Sequence, residues 1–199
     1  MKNLNVRHFS QLDNVYHPEG TCNLTSAAMV LDYHGIRPKN SARQLEDELF
    51  EWVYDRKLSR HSAEDIAKVI RAYGCQDDFT WNGSIDSIKK SIDNNNPCII
   101  HGMFTRSGHI IVVRGYDEAG LLVNDPYGEW FPKGYNTRVS GENLHYSFGL
   151  IARACAYDGE FWVHHVGHRA RVLQRLICSQ ISSAGTPAAE SSITSAALD

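Results

Sequence analysis

Apolar positions in the first half of the chain recur at helical spacing. Residues 22–34, CNLTSAAMVLDYH, carry apolar or small side chains at Leu24, Ala27, Ala28 and Leu31, which is one face of a helix. Gly35 follows where a helix commonly ends on a left-handed residue. Ser41 can cap a second helix running to about Lys57, with Leu45, Leu49 and Trp52/Val53 along its buried stripe. Ser62 with Asp65 resembles a capping box and opens a third helix. That helix turns Ile66, Val69 and Ile70 inward and stops at Gly74. Ser84 opens a shorter fourth (Ile85, Ile88, Ile92), which gives out in Asn94-Asn95-Asn96-Pro97.

Beyond Pro97 the pattern changes. PCIIHGMF, HIIVVRGY, GLLVNDP and FGLIARACAY are short apolar or β-branched runs divided by Gly, Asp and Asn, and they read as strands. His109 to Pro126 reads as a hairpin turning near Asp117-Glu118-Ala119-Gly120. Helices followed by strands, without alternation, predict an α+β domain in which N-terminal helices pack on an antiparallel sheet. Phe161 to about Cys178 is expected to be one more helix, carrying Arg169, Arg171 and Arg175 as a charged face. Residues 179–199 are small, polar and aperiodic, and read as a disordered tail after a domain spanning 1–178. No repeat is visible at a 20–50 residue period.

Composition narrows the class. The chain has 199 residues, 42% hydrophobic and 22% charged, which suits one soluble domain. A net charge of −3 gives no basic stripe for nucleic acid. Met1 to Ser10 alternates polar and apolar residues, unlike the apolar stretch of about 7–15 residues in a signal peptide. No window approaches the roughly 18 apolar residues of a membrane span. The expected location is the cytoplasm, unless another factor releases the protein to act on the cell envelope. Nothing in the sequence indicates an oligomeric state.

Five cysteines, Cys22, Cys75, Cys98, Cys155 and Cys178, are widely spaced and form no CxxC pair, which disfavours zinc knuckles and dithiol redox sites. Four read as structural thiols, Cys98 and Cys155 as strand core. Cys22 differs, because it opens an apolar helix after the turn-forming loop His17-Pro18-Glu19-Gly20-Thr21. Free N–H groups at a helix start favour a thiolate and can lower a cysteine pKa from about 8.5 toward neutrality.

A thiolate nucleophile needs a base. His109 follows Gly108 at the opening of an apolar strand, where its ring can stand at the end of the sheet. Asp125 closes the next strand and can hold the imidazole's tautomer. A simple four-residue turn leaves Asp125 about three residues out of register with His109, so a bulge or a tighter turn is required. Gln11, in SQLDN, can join the Cys22 backbone N–H as an oxyanion donor.

SQLDN, GTCNLTSAAMVLDYHG, GHIIVVRGY and LLVNDPYGEW resemble the papain-like cysteine peptidases of the bacteriocin-transporter leader-peptidase (double-glycine peptidase) family. The nearest likeness is to its stand-alone, single-domain branch, over about residues 8–155. The resemblance implies a papain-like fold and a site of Gln11, Cys22, His109 and Asp125, with no metal or organic cofactor. One departure is plain: transporter members keep the glutamine a few residues from the cysteine, whereas here Asp13–Thr21 intervenes. The sequence contains no transporter membrane or nucleotide-binding region, so the resemblance carries no coupling to export. The activity it implies is hydrolysis of a peptide or isopeptide bond through a thioester on Cys22, with bacterial cell-wall peptides as one substrate class by analogy. An acyl transferase or amidase using the same residues, and a peptide-binding module without chemistry, are the alternatives.

Two other groups have ordinary readings. His164, His165 and His168 contain a His-x-x-x-His pair that can bind zinc on a helix, but no third ligand is near, and they read as solvated surface histidines. Tyr127 and Trp130 either wall a substrate groove or pack in the core.

Overall fold

A computed structural model describes residues 1–168, which form one compact unit. The four early helices form where the apolar period places them: α1 (Cys22–Tyr33), α2 (Leu45–Asp55), α3 (Ala63–Ala72) and α4 (Ile85–Asp93). Every residue of α1 from Asn23 to Asp32 is buried, so this helix is enclosed on all sides, as a helix apolar around its circumference must be. Gly35, at φ 86°, then turns the chain where a Cβ would be strained. α2 begins three residues later than expected. Gln44 rather than Ser41 is its N-cap, and Glu46, Asp47 and Glu48 supply negative charge to its first turn. Ser62 caps α3 by accepting the Asp65 N–H, and Ser84 and Ser87 form a complete capping box on α4.

Seven strands make one antiparallel sheet. Its path is β2 (Cys75–Thr80), β9 (Val163–His168), β3 (Cys98–Gly102), β4 (His109–Tyr116), β5 (Gly120–Asn124) and β8 (Leu144–Ser147). β1 (Lys2–Asn3) pairs with Gly115 and Tyr116 of β4, beyond the part that β3 covers. A separate hairpin joins β6 (Glu129–Phe131) to β7 (Gly134–Asn136). Residues of β3 and β4 are buried on both faces because helices cover both sides of the sheet. α1 packs on β4 and β3, α3 on β2, and α4 and α5 (Phe148–Cys155) also reach β3. The result is the expected α+β arrangement.

The elements α5, β9 and β2 depart from the sequence reading, and the short strands β1, β6, β7 and β8 carry no pattern that marks them. FGLIARACAY is not a strand but the helix α5. Its buried residues Ile151, Ala154 and Cys155 follow helical spacing, and Ser147 caps it by accepting the Leu150 N–H. Cys155 is therefore helix core, while Cys98 is strand core as expected. Residues 163–168 are not helical but form the central strand β9, wedged between β2 and β3. Buried on both faces, it lacks the alternation that marks a half-exposed strand. In β2, Asp77 and Asp78 mask the strand pattern, yet Cys75 and Asp77 point inward and Gln76 and Asp78 outward. The remainder of the expected helix, with its three arginines, and the expected tail lie outside the described residues. Among those described, no helix is long and apolar enough to cross a membrane.

Removing the Ser84 cap by Ser84→Ala should lower unfolding free energy by about 1 kcal/mol, read from a urea denaturation midpoint at unchanged slope.

Candidate active site

The N-terminal segment runs along the ends of β4 and β5. The Leu4 N–H donates to the Arg114 carbonyl (2.8 Å), and Asn124 Nδ2 donates to the Val6 carbonyl (2.9 Å). His8 Nε2 donates to the Asp125 carbonyl (2.8 Å), and the Gln11 N–H to that of Pro126 (2.9 Å). These bonds bring Gln11 to the segment that holds Asp125. The intervening loop then folds back: Asn14 Nδ2 donates to Thr21 Oγ1 (2.8 Å) and Thr25 Oγ1 (2.9 Å). Gln11 Nε2 donates to the Pro18 carbonyl at 2.8 Å. The insert before Cys22 is thus a closed loop, and Gln11, Cys22 and His109 line a single cleft of about 560 Å³. Gln11 itself is buried, and its Oε1 has no hydrogen-bond partner.

His109 opens β4 after Gly108, whose φ of 83° suits glycine. Thr105 Oγ1 donates to the Gly108 carbonyl at 2.6 Å and fixes this entry. The register across the hairpin shifts between Val113 and Gly115, so a bulge is present, as required. It does not bring Asp125 level with His109. Val112 lies opposite Asn124, so Asp125 falls beside Ile111, two residues along the strand. The side chains meet diagonally instead.

Asp125 has no exposed surface, and its carboxylate is saturated with donors. Oδ1 accepts from His109 Nε2 (2.7 Å) and from the Tyr127 N–H (3.0 Å). Oδ2 accepts from the hydroxyls of Tyr135 (2.9 Å) and Tyr146 (3.1 Å). A buried charge is tolerable only with such a shell. Burial first, and the Asp125 charge next, push both phenols far above the ordinary tyrosine range, so they remain donors. Its N–H donates to the Gly141 carbonyl (2.8 Å), and a Cβ on Gly141 would sit 1.8 Å from the Asp125 carbonyl oxygen. Only glycine allows that approach.

With Nε2 held by Asp125, the other ring nitrogen of His109 is left for the Cys22 sulfur, to which His109 is hydrogen-bonded. Burial pushes the Cys22 thiol up, but the His109 hydrogen bond and charge, with the backbone N–H groups of Ile110 and Asn23, outweigh it; the net pKa is lowered. For His109 burial works downward, while the Asp125 charge and hydrogen bond, then Cys22, raise it to about 10. The two shifts together favour a thiolate–imidazolium pair. Burial drives Cys75, Cys98 and Cys155 the other way, each to about 12. Cys178 lies outside the described residues.

All four sequence-derived residues are therefore brought together. Tyr127 lines the cleft, while Trp130 packs against the core and donates its indole N–H to the Phe104 carbonyl. Tyr135, Tyr146, Gly141 and His8 were not anticipated; each acts through Asp125 and lies in a segment without periodic signal. The three late histidines are also corrected. They stand on β9, not on a helix, and His164 is fully buried, bonded to Asp77 and His101.

The family model for the Peptidase_C39 like family matches residues 3–148, and the chain belongs to that family. It is a cysteine peptidase of papain-like fold. A crystal structure described as a C39-like peptidase from Bacillus anthracis superposes with a TM-score of 0.59 at 15% identity, covering 83% of this chain and 97% of that one. A double glycine motif protease from an AMS/PCAT transporter, solved in complex with the leader peptide, gives a TM-score of 0.50 at 19% identity, over 82% and 94% of the two chains. No curated protein matches the chain.

Replacing Asp125 by Asn removes the charge that raises the His109 pKa, so the ion pair should dissolve at lower pH on its alkaline side. The rate of Cys22 alkylation by iodoacetamide below pH 8 should fall at least tenfold, about one pKa unit of differential stabilisation. An unchanged rate profile would separate Asp125 from the reactivity of the sulfur.

Proposed function

We propose that Cys22 is the nucleophile, His109 its acid–base partner, Asp125 the group that orients the imidazole, and Gln11 an oxyanion donor. The observation that carries this reading is the lowered Cys22 thiol bonded to a His109 that Asp125 holds protonated. The Cys22 thiolate adds to the substrate carbonyl and its electron pair moves to oxygen. As the first residue of α1, Cys22 has a backbone N–H with no acceptor inside the helix, so it is free for that oxygen. The second N–H of Gln11 Nε2, beyond the one given to Pro18, supports the same role.

Collapse of the tetrahedral adduct breaks the C–N bond, and His109 gives its proton to the leaving amine. A thioester on Cys22 remains. His109, now neutral, takes a proton from water; the hydroxide adds to the thioester, and the thiolate leaves as the acid is released. Asp125 keeps its charge throughout and stabilises the imidazolium. Its four donors support that role, because each lone pair they engage fixes the carboxylate against the imidazole.

We read the substrate as a peptide, cleaved at an amide or isopeptide bond, with bacterial cell-wall peptides as the class to test first. The leader peptide bound to one structural neighbour supports a peptide in this type of cleft.

The test is to incubate wild type and Cys22→Ala with a peptide library and with purified peptidoglycan, reading new termini by mass spectrometry. Wild type should create them and carry a transient acyl mass on Cys22. Cys22→Ala should lose at least a thousandfold in rate, and Gln11→Ala about a hundred- to a thousandfold in kcat. Cleavage by Cys22→Ala at the wild-type rate would end the proposal.

A further inference from the structure

Glu19 and Tyr127 line the cleft but take no part in the steps above. Glu19 belongs to the loop before Cys22, and Tyr127 follows Asp125 by two residues. The Tyr127 hydroxyl donates to Glu19 Oε2 at 2.5 Å, so the bond joins the Cys22 side of the cleft to the Asp125 side. Each partner is anchored. The Tyr127 N–H is given to Asp125 (3.0 Å), and its ring stands edge-on to that of Tyr135, 5.1 Å away. Around Glu19, the Gly20 N–H (2.8 Å) and the Thr21 hydroxyl (3.1 Å) both donate to the His17 carbonyl, and the Pro18 carbonyl accepts from Gln11. A second tie, from the Gln11 N–H to the Pro126 carbonyl, joins the same two segments.

Strand order fixes where this bridge lies. Along the sheet β9, β3, β4 and β5 are neighbours, and Trp162 precedes β9, Met103 follows β3, His109 opens β4 and Tyr127 follows β5. Antiparallel pairing puts all four at one edge of the sheet, with His109 between Trp162 and Tyr127. The Trp162 end is open. Met103, Tyr157 and Trp162 are exposed there, and among the described residues no hydrogen bond joins them to Asn23 or His61 on the facing side. The Asn23 amide is given to the Arg60 carbonyl, and the Trp162 indole N–H to Glu160. Neighbouring strands lie about 4.8 Å apart, so two strand spacings are available from His109 toward Trp162 but only one toward Tyr127. One spacing holds about one extended residue, at roughly 3.3–3.6 Å each.

We propose that the Glu19–Tyr127 bridge closes the leaving-group end of the cleft, so that the enzyme releases a group of one residue or less from the carboxyl end of its peptide. The acyl carbon bonds to the Cys22 sulfur and the leaving nitrogen faces His109, whose ring lies 6.1 Å from that of Tyr127. The leaving group therefore extends toward the bridge, and the acyl chain toward Met103 and Trp162. The step is the hydrolysis already written, with a single amino acid derivative or ammonia as the amine. The inference rests on the peptidase reading of the cleft and names the bonds that such a cleft can reach.

The test uses a peptide library prepared in pairs, each peptide as it stands and extended by four residues at its carboxyl end. Both members are amidated, so the charge brought toward Glu19 is the same. Wild type should cleave the last bond of the short member at least tenfold faster in kcat/KM than the same bond in the extended one, as read by mass spectrometry. The ratio should fall about five- to tenfold in Glu19→Ala, an exposed site where folding is not at risk, and in Tyr127→Phe, which keeps the ring and the N–H to Asp125. Cleavage indifferent to the extension, or a preference that both variants leave intact, overturns the closed end and spares the peptidase reading. If nothing is cleaved, binding of the same pairs to Cys22→Ala decides. Tighter binding of the short members, equalised in the Cys22→Ala, Glu19→Ala double variant, upholds the closed end and removes the peptidase reading; equal binding, or none, overturns both.

Discussion

A carboxylate with no access to water organises this molecule. Asp125 is fully buried, and His109, Tyr127, Tyr135 and Tyr146 all donate to its carboxylate. Its own backbone is gripped from two more directions, by His8 on the carbonyl and by Gly141 on the N–H. Segments from residue 8 to residue 146 are thus constrained by one side chain. Losing a donor would leave a buried charge short of a partner, which is why so distant a set of residues must stay in place.

The same demand explains how chemistry is built from a rigid core. α1 is enclosed by the sheet and by α2 and α3, so the sulfur at its first residue has little freedom. His109 is fixed at the other side by the pairing of β4 with β3 and by Asp125. Burial alone would favour neutral partners. The Asp125 charge reverses that preference at His109, and the imidazolium in turn stabilises the thiolate. A second buried Asp–His pair gives the opposite result nearby. Asp77 is matched to His164, and burial first, then His164, keep the next ring, His101, neutral. One cleft therefore holds a charged histidine and an uncharged one.

Much of this was legible from residue order. The helical spacing of Leu24, Ala27, Ala28 and Leu31 announced α1, and the apolar runs after Pro97 announced β3, β4 and β5. Cys22, His109 and Asp125 could be singled out because helix starts and strand ends are where reactive groups become accessible, whereas Gln11 gained meaning only beside the other three. What escaped had physical reasons. β9 is buried on both faces and carries three histidines, so neither alternation nor composition marks it. α5 is short and apolar, and such runs do not distinguish strand from helix until the period is counted. Tyr135, Tyr146 and Gly141 matter through contacts across the fold, to which local pattern is blind. The bulge in β4 was foreseen, but diagonal contact, not a full shift of register, completes the pairing.

The ionisation of Cys22 tests the central interaction most directly. Thiolate ultraviolet absorbance, titrated as the difference between wild type and Cys22→Ser, should show a signal already present well below the ordinary thiol pKa of about 8.5 and removed from that range by His109→Gln. A Cys22 that ionises only at or above that value, and does so equally in His109→Gln, would contradict the account.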